Sequence, residues 1–255
     1  MKIIATYNLK GGVGKTSTAV NMAYLAAKDG YRTLLWDLDP QGAASFCFRV
    51  KPKLKGGVQA LRSKRRSLDN VVKATDFTGL DLIPADFSFR NFDQVFSDTK
   101  KPSKQLLKLL FPISREYDLL FIDCAPSISL ASENIFYAAD ALLIPLIPTP
   151  FSVRTFNQLL VYFNKAPARH LKLLPFFSMY DKRRLLHRQI MVSLPKEFKG
   201  MLNTPIPYSK SVELMGIERA PVGTFAPNSN PAHAYIKLWQ EVQAKLLASS
   251  GSKGR

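Results

Sequence analysis

The chain has 255 residues, of which 46% are hydrophobic and 22% charged, as is typical of one globular domain. Thirty-six basic against nineteen acidic residues give a net charge of +17, which predicts a polyanionic partner. No apolar run approaches the roughly 18 residues of a transmembrane helix. Two cysteines in apolar contexts, Cys47 and Cys124, are typical of buried thiols rather than of a disulfide scaffold. We therefore expect a soluble cytoplasmic protein.

A glycine-rich turn separates the first strand-like stretch from the first helical pattern. Residues 3–5 are apolar, and a helical pattern begins near Thr18 and stops at Gly30. Glycines allow backbone N–H groups to converge on phosphate oxygens, and a following helix adds its positive N-terminal end. We expect a phosphate-binding loop formed by Lys10, Gly11, Gly12, Val13, Gly14, Lys15, Thr16 and Ser17.

The two lysines of this loop have different expected roles. Lys15 is placed for the β- and γ-phosphates, and the Thr16 hydroxyl for Mg²⁺. The general phosphate-loop pattern has its first glycine where this chain has Leu9, and a second lysine, Lys10, follows instead. Lys10 cannot easily fold back onto the phosphates of its own loop, so we expect its charge to act elsewhere.

Acidic residues follow two strands that we expect to be buried. The strand over 32–38 brings Asp37 and Asp39 to its carboxyl end, and the apolar strand over 117–123 ends in Asp123. With a phosphate loop upstream, Asp123 is the candidate to hold Mg²⁺ through water. Of Asp37 and Asp39, one could assist the metal site, and the other could orient or deprotonate an attacking water.

The remaining elements alternate between strand-like and helical patterns. Expected strands lie at 80–84, 141–145 and 171–177, with a strand end at Ile206-Pro207. Expected helices lie near 68–72, within 88–101, and at 104–110, 130–138, 153–163, 183–194 and 231–249. This alternation predicts one α/β domain over residues 1–249, with a mostly parallel twisted sheet of about seven or eight strands and helices on both faces. Residues 250–255 are expected to form a disordered tail.

The positive charge is concentrated in two segments. Residues 49–66 hold eight basic residues and no acidic one, and residues 162–210 hold ten basic residues against two acidic ones. Together they account for sixteen of the seventeen net charges. No helix-turn-helix, zinc-finger or RNP-type pattern accompanies them, so we expect DNA binding without sequence preference. The candidate DNA contacts are Lys182, Arg183, Arg184, Arg188, Lys196, Lys199 and Lys210.

Three stretches together resemble the ParA/MinD family of deviant-Walker ATPases, most closely its ParA, or Soj-like, branch. These stretches are residues 10–16, 37–41 and 121–127, and further similarity at 143–150, 179–183 and 206–213 extends it over nearly the whole chain. The resemblance implies a P-loop ATPase that uses ATP and Mg²⁺. The Asn-Lys-x-Asp pattern that reads guanine is absent, which favours ATP over GTP.

The resemblance also implies roles for individual residues. Lys10 resembles the signature lysine that reaches the partner's phosphates across an ATP-sandwich homodimer. Asp39 resembles the catalytic aspartate that places the attacking water and is also expected to contribute to the metal site with Thr16. Asp123 resembles the Walker B residue that holds the metal, and Pro207 part of the segment that lines adenine. The dimer would bind nucleoid DNA and leave it when a ParB-like or cargo-adaptor protein stimulates hydrolysis. The cargo would be a plasmid, a chromosome or another assembly.

Some residues depart from the family pattern, and two other functions stay open. Ala43, Ala125 and Tyr208 stand where the family commonly has asparagine, proline and a basic residue. A MinD-like membrane-associated regulator is disfavoured, because the apolar stripe of the last helix is expected to dock on the core. A metabolic enzyme of the cobyrinic-acid synthetase type is disfavoured, because we expect it to need an additional glutaminase domain.

Overall fold

A seven-stranded sheet organises the described part of the chain, which in this computed structural model comprises residues 1–54, 56–62, 68–93, 104–165 and 170–246. The strands are β1 (Lys2–Thr6), β2 (Thr33–Asp37), β3 (Lys73–Ala74), β4 (Leu80–Ile83), β5 (Leu119–Asp123), β6 (Ala141–Leu146) and β7 (Lys172–Phe177). Their order is β3-β4-β2-β5-β1-β6-β7, and every neighbouring pair is parallel except β3–β4. The predicted tail and part of the segment 88–101 lie outside the described residues.

The helices are distributed over both faces of this sheet. They are α1 (Lys15–Lys28), α2 (Ala43–Cys47), α3 (Gly57–Arg62), α4 (Gln105–Leu110), α5 (Leu130–Ala138), α6 (Pro150–Lys165), α7 (Leu185–Glu197), α8 (Lys210–Glu213), α9 (Met215–Glu218), α10 (Val222–Phe225) and α11 (Asn230–Leu246). Two 3₁₀ turns, Leu68–Asn70 and Phe87–Asn91, complete the described elements. The predicted α/β class with a mostly parallel sheet is confirmed.

The core has two halves because successive strand side chains point to opposite faces. In β1, Ile3 and Ala5 pack into the half covered by α4 to α7, whereas Ile4 packs into the half covered by α1 and α11. The central strands β2 and β5 are buried along their whole length. This burial explains why both read as nearly continuous apolar runs.

The first helix begins three residues before its predicted start at Thr18. Gly14 adopts φ +90° and is its N-cap, and the Thr18 N–H donates to the Gly14 carbonyl at 3.0 Å. Lys15 and Thr16 therefore lie on the first helical turn rather than in the loop. The sequence pattern missed this turn because its outward residues are polar.

Helix α6 likewise begins three residues before its predicted start at Val153, and three further predictions are wrong. The expected helix near 68–72 is the 3₁₀ turn, followed by β3, which pairs antiparallel at the sheet edge. Ile206-Pro207 does not end a strand but forms an isolated bridge with Tyr180, since proline lacks the N–H that continued pairing needs. Helix α7 begins at Leu185 rather than 183, because the Asp181 carboxylate accepts the Arg183 N–H and holds it in a turn.

The last helix docks on the core as predicted, although it is described only as far as Leu246. Its apolar stripe is buried, and Trp239 Nε1 donates to Asp29 Oδ2 at 2.7 Å. Within the described ranges, no helix combines the length and the hydropathy needed to cross a bilayer. Cys47 and Cys124 are buried free thiols, as expected.

Candidate nucleotide site

The candidate site lies at the carboxyl ends of three adjacent strands. In the register of the sheet, Asp123 at the end of β5 pairs with Thr6 of β1 on one side and with Asp37 of β2 on the other. The glycine-rich loop leaves β1 at the same edge. Parallel topology therefore brings residues from three separate parts of the sequence to one place, as in other open α/β sheets.

The loop is fixed at its start by Asn8, which the sequence pattern did not single out. Asn8 is buried, its Nδ2 donates to the Pro145 carbonyl at 2.8 Å, and its Oδ1 accepts the Lys10 N–H at 2.9 Å. Its position could have indicated this role, because a polar residue directly after a buried strand needs hydrogen-bond partners.

Gly12 and Gly14 give the loop its tight turn. Gly12 has φ +68° and Gly14 has φ +90°, in the left-handed region that favours glycine. A Cβ at Gly14 would also lie 2.9 Å from the Oγ atom of Ser178, the residue that directly follows β7. No sequence pattern connects these two residues, which lie 164 positions apart. Glycine is therefore favoured at position 14 for two reasons, the left-handed backbone and the close approach of Ser178.

Lys15 is buried and bends back over the loop, while Lys10 is only half buried. Lys15 Nζ donates to the Lys10 carbonyl at 3.2 Å. Burial lowers the pKa of Lys15, and the charges of Asp123 and Asp39 oppose this effect. The Lys10 ammonium has no hydrogen bond or ion pair within the described residues. One lysine thus serves its own loop, and the other is available to a different molecule.

Asp37 and Asp123 each leave one buried carboxylate oxygen without a hydrogen-bond partner among the described residues. Burial raises the pKa of Asp123, and the Asp37 carboxylate raises it further, whereas Thr16 and Lys15 favour the ionised form. Burial also raises the pKa of Asp37. Unpaired buried acceptors call for a missing partner, and oxygen donors are what Mg²⁺ prefers, directly or through its waters. The residues present therefore fit a magnesium ion.

Asp37 and Asp39, which residue reasoning alone did not tell apart, have different surroundings. Asp37 Oδ2 accepts from the N–H and the hydroxyl of Ser45, at 2.7 and 2.8 Å, and so holds the start of α2. Asp39 lies beyond the strand on a turn, where its Oδ1 accepts the Gln41 N–H at 3.0 Å. Its carboxylate is partly exposed and close enough to raise the pKa of Lys15. Asp39 is therefore the accessible carboxylate.

Pro207 is brought to the same edge of the sheet by main-chain hydrogen bonds. The Tyr180 N–H donates to the Ile206 carbonyl at 3.0 Å, and the Tyr208 N–H donates to the Tyr180 carbonyl at 2.9 Å. These bonds place residues 206–208 alongside the segment that follows β7, two residues beyond Ser178. The predicted adenine segment therefore lies on the side of the loop where Gly14 meets Ser178.

The candidate DNA-binding residues are exposed around α7. Lys182, Arg183, Arg184, Arg188, Lys196, Lys199 and Lys210 all lie at the surface. They are not equally available, because Arg183 Nε and Nη2 donate to the Asp181 carboxylate at 3.0 and 2.9 Å. The Tyr208–Tyr180 bond brings the segment of Lys210 next to the turn that carries the first three.

The described part of the second basic segment, residues 49–66, lies near the opposite edge of the sheet. Leu54 N–H donates to Asp86 Oδ2 at 2.7 Å, after β4, and Arg49 pairs with Asp76 at 3.0 Å. Lys55 and residues 64–66 lie outside the described part of the chain. The described parts of the two basic segments therefore lie toward opposite edges of the sheet.

Comparison with known proteins identifies the family. A family profile described as an AAA domain matches residues 1–174. The sporulation initiation inhibitor protein Soj of Bacillus subtilis is 31% identical over 250 residues, which are 95% of this chain and 98% of that protein. The chain belongs to the ParA/MinD family. The resemblance carried by the loop and the two aspartate motifs is thereby confirmed.

Solved structures of this fold include a partition protein and a metabolic enzyme. A putative plasmid partition protein from Borrelia burgdorferi B31 bound to AMPPNP has a TM-score of 0.81 and 22% identity, covering 96% of this chain and 99% of that chain. Cobyrinic acid a,c-diamide synthase from Mycobacterium smegmatis, with bound ATP analog and magnesium, has a TM-score of 0.81 and 25% identity, covering 97% of each chain. These ligands agree with the predicted cofactors.

The synthase corrects one expectation. We expected an enzyme of this type to need an additional glutaminase domain, yet this ParA-family chain matches 97% of the solved synthase chain. Chain length therefore does not separate a partition ATPase from a synthase. We therefore use the charge of the exposed surface to distinguish a partition ATPase from a synthase.

Proposed function

We propose that this ParA-family chain is a Mg²⁺-dependent ATPase whose ATP-bound homodimer binds DNA without sequence preference. The observation that carries the ATPase is a pair of buried carboxylate oxygens, on Asp37 and Asp123, which find no hydrogen-bond partner in the described part of the chain and lie beside the phosphate loop of Lys15. A buried lysine and buried carboxylates in one site need a ligand with both anionic and cationic groups, and a nucleotide with its metal ion is such a ligand.

The residues of the site divide the work of hydrolysis. The N–H groups of residues 11–17 and the Lys15 ammonium would hold the β- and γ-phosphates. Thr16, Asp39 and Asp123 would hold the metal ion, directly or through its waters, beside the Asp37 oxygen that has no partner among the described residues. Magnesium, when bound, supplies positive charge that offsets the charge on the transferred phosphoryl group. Asp39 would orient the attacking water through its accessible carboxylate and accept its proton. Pro207 would line the adenine ring.

Lys10 supports a site completed by a second chain. Its ammonium has no partner within the described residues and stands at the head of the loop. In a dimer it would reach the phosphates bound by the other chain and stabilise the charge that develops there, in the manner of an arginine finger supplied in trans.

Sedimentation with ATP and with ADP tests the dimer. We expect the wild type to dimerise with ATP, whereas Lys10→Ala stays a monomer and keeps its nucleotide affinity to within about threefold, because Lys15 still holds the chain's own phosphates. Lys237→Ala, which removes the same charge from the exposed face of α11, should dimerise normally. An unchanged dimer in Lys10→Ala would exclude the role in trans.

The positive surface supports DNA as the partner of the dimer. Exposed lysines and arginines around α7, on a chain of net charge +17, suit a phosphate backbone better than a small metabolite. A ParB-like or cargo-adaptor protein would stimulate hydrolysis and release the dimer from the nucleoid, so that a plasmid, a chromosome or another cargo is positioned. A synthase-like activity is the second candidate, favoured by the structural likeness to the Mycobacterium smegmatis enzyme.

A further inference from the structure

Two arginines far apart in the sequence occupy an unusual backbone conformation. Arg49 has φ +60° and Arg219 has φ +50°, in the left-handed region that residues with a Cβ rarely adopt. Arg49 follows α2 closely, and Arg219 is the C-cap of α9. Such strain persists only where the surroundings hold it, and it is concentrated at functional positions.

Each arginine binds a carbonyl in the turn of the other. Arg219 Nε donates to the Phe46 carbonyl at 3.0 Å, and its guanidinium lies 4.5 Å from the centre of the Phe46 ring. Arg49 Nη2 donates to the Glu218 carbonyl at 3.1 Å. We call this reciprocal pair of contacts, made by Arg49 and Arg219, the arginine clasp.

The clasp holds the C-terminal end of α2. This helix has only five residues, fewer than an isolated helix needs to be stable, so its position depends on its contacts. Asp37 holds the start of α2 through Ser45, and Arg219 holds its end through the Phe46 carbonyl. The turn that carries Asp39 leads directly into α2, so whatever fixes the helix also fixes that turn.

The other side of the clasp is attached to the helix of the phosphate loop. Asn21 of α1 accepts the Val222 N–H through its Oδ1 at 2.9 Å, and its Nδ2 donates to Met215 Sδ at 3.3 Å. Residues 215–222 thus bridge α1, which begins at Lys15, and α2, which follows Asp39. The clasp closes this bridge on the α2 side.

We propose that Arg49 and Arg219 are positioning residues that hold the Asp39 turn in register with the phosphate loop. This inference rests on the proposed ATPase. A purely stabilising role fits the geometry poorly, because the side chain of Arg49 is 54% exposed and that of Asp76, its ion-pair partner, is 61% exposed. Exposed ion pairs contribute little to stability. The clasp instead fixes the position of α2 relative to residues 215–222.

Replacement of either arginine by glycine removes the clasp without leaving a strained backbone behind. Glycine tolerates the left-handed conformation, so Arg219→Gly and Arg49→Gly remove the clasp and relieve the backbone together. We expect kcat for ATP hydrolysis to fall about tenfold, with KM within about twofold and no loss in Tm. The double variant should lose no more than either single one, since both arginines serve one contact.

Two further variants complete the kinetic experiment. Arg219→Lys keeps the charge but cannot donate and stack in the same geometry, so its kcat should be intermediate. Arg115→Ala removes an exposed arginine before β5 and should leave kcat unchanged. A kcat that is the same in the wild type and in both glycine variants would overturn the positioning role.

Amide hydrogen exchange tests the clasp without relying on activity. In both glycine variants we expect the amides of Ser45, Phe46 and Phe48 to exchange about tenfold faster, while those of β2 are unchanged. Unchanged exchange in α2 would overturn the clasp itself. Absence of wild-type hydrolysis would instead refute the proposed ATPase, and the positioning role with it, while the exchange data would still decide whether the arginines hold α2.

Discussion

Lys15 and Asp123 are the buried charges on which the candidate site depends. Burial lowers the pKa of the lysine and raises that of the aspartate, so each group alone would tend to be neutral. Each opposes this tendency in the other, because opposite charges nearby favour the ionised forms. The site therefore keeps charged groups in place, and one oxygen of Asp123 has no hydrogen-bond partner among the described residues and can bind a ligand.

Replacement of Asp39 tests its catalytic role. We expect Asp39→Ala to lower the rate of hydrolysis at least about 100-fold, because the water loses the group that orients it, and to leave an ATP-bound dimer on DNA. Asp39→Asn is the matched control, since its amide oxygen can still accept the Gln41 N–H and keep the turn. Equal losses in both variants, measured by phosphate release, would assign the effect to the carboxylate charge. Rapid hydrolysis by Asp39→Ala would remove Asp39 from the reaction.

At the scale of elements, the site depends on how the phosphate loop fits between β1 and α1. Asn8 anchors its start on the main chain of β6, and Gly14 ends it against Ser178, the residue after β7. Helix α1 is in turn held by Asn21 and by its packing on α11. The loop is thus a junction between four elements, and its shape is decided by all of them.

Replacement of Gly14 by alanine tests this junction. We expect Gly14→Ala to lower the free energy of unfolding by about 1–2 kcal/mol, since the left-handed conformation disfavours a Cβ. Nucleotide affinity should fall more than about tenfold. Gly11→Ala is the control for folding, because its φ is not positive and its Cβ would meet no atom within 4 Å.

A second replacement separates the two causes of this loss. Adding Ser178→Ala to Gly14→Ala removes the 2.9 Å approach and should restore part of the stability, leaving the conformational strain. Thermal unfolding measures both effects. Equal stability of Gly14→Ala and the wild type would contradict the tight fit of this loop.

At the scale of the whole molecule, the exposed basic residues around α7 lie outside the nucleotide site but next to the segment predicted to line adenine. The turn carrying Lys182 and Arg184 begins two residues after Tyr180, whose main chain pairs with the Pro207 segment. The described part of the other basic segment lies beyond β4, near the opposite edge of the sheet. A dimer would present two copies of each segment, which gives nucleotide-dependent assembly a way to strengthen DNA binding.

A mobility-shift assay with random-sequence DNA tests this arrangement. We expect tighter binding with ATP than with ADP, and an affinity that falls steeply as salt rises. Arg188→Ala should lower the salt slope by about 0.9 for each chain of the dimer, which is the effect of leaving one phosphate without its cation. Arg183→Ala should lower it by less, because Asp181 already engages the Arg183 guanidinium. Binding that ignores both nucleotide and salt would overturn the proposed nucleotide-dependent binding to the phosphate backbone.

The sequence by itself determined the features that local patterns encode. Glycine spacing identified the phosphate loop, apolar runs identified the buried strands, and the end of one such strand selected Asp123, because backbone conformation and strand burial leave a short-range signature. The choice of Asp39 over Asp37 came from the family resemblance, since strand position alone left both open. Most strand positions and the α/β class followed from the same patterns. The start of α1 did not, since its first turn is polar on the outside.

Only the tertiary structure decided how distant segments meet. It showed that one carboxylate oxygen of Asp37 accepts from Ser45, that Ser178 lies against Gly14, and that Arg219 and Arg49 bind each other's turns across 170 positions of sequence. The physical reason is the same in each case. A contact between segments far apart in the chain depends on sheet order and helix packing, and neither leaves a periodic trace in the residues that make it.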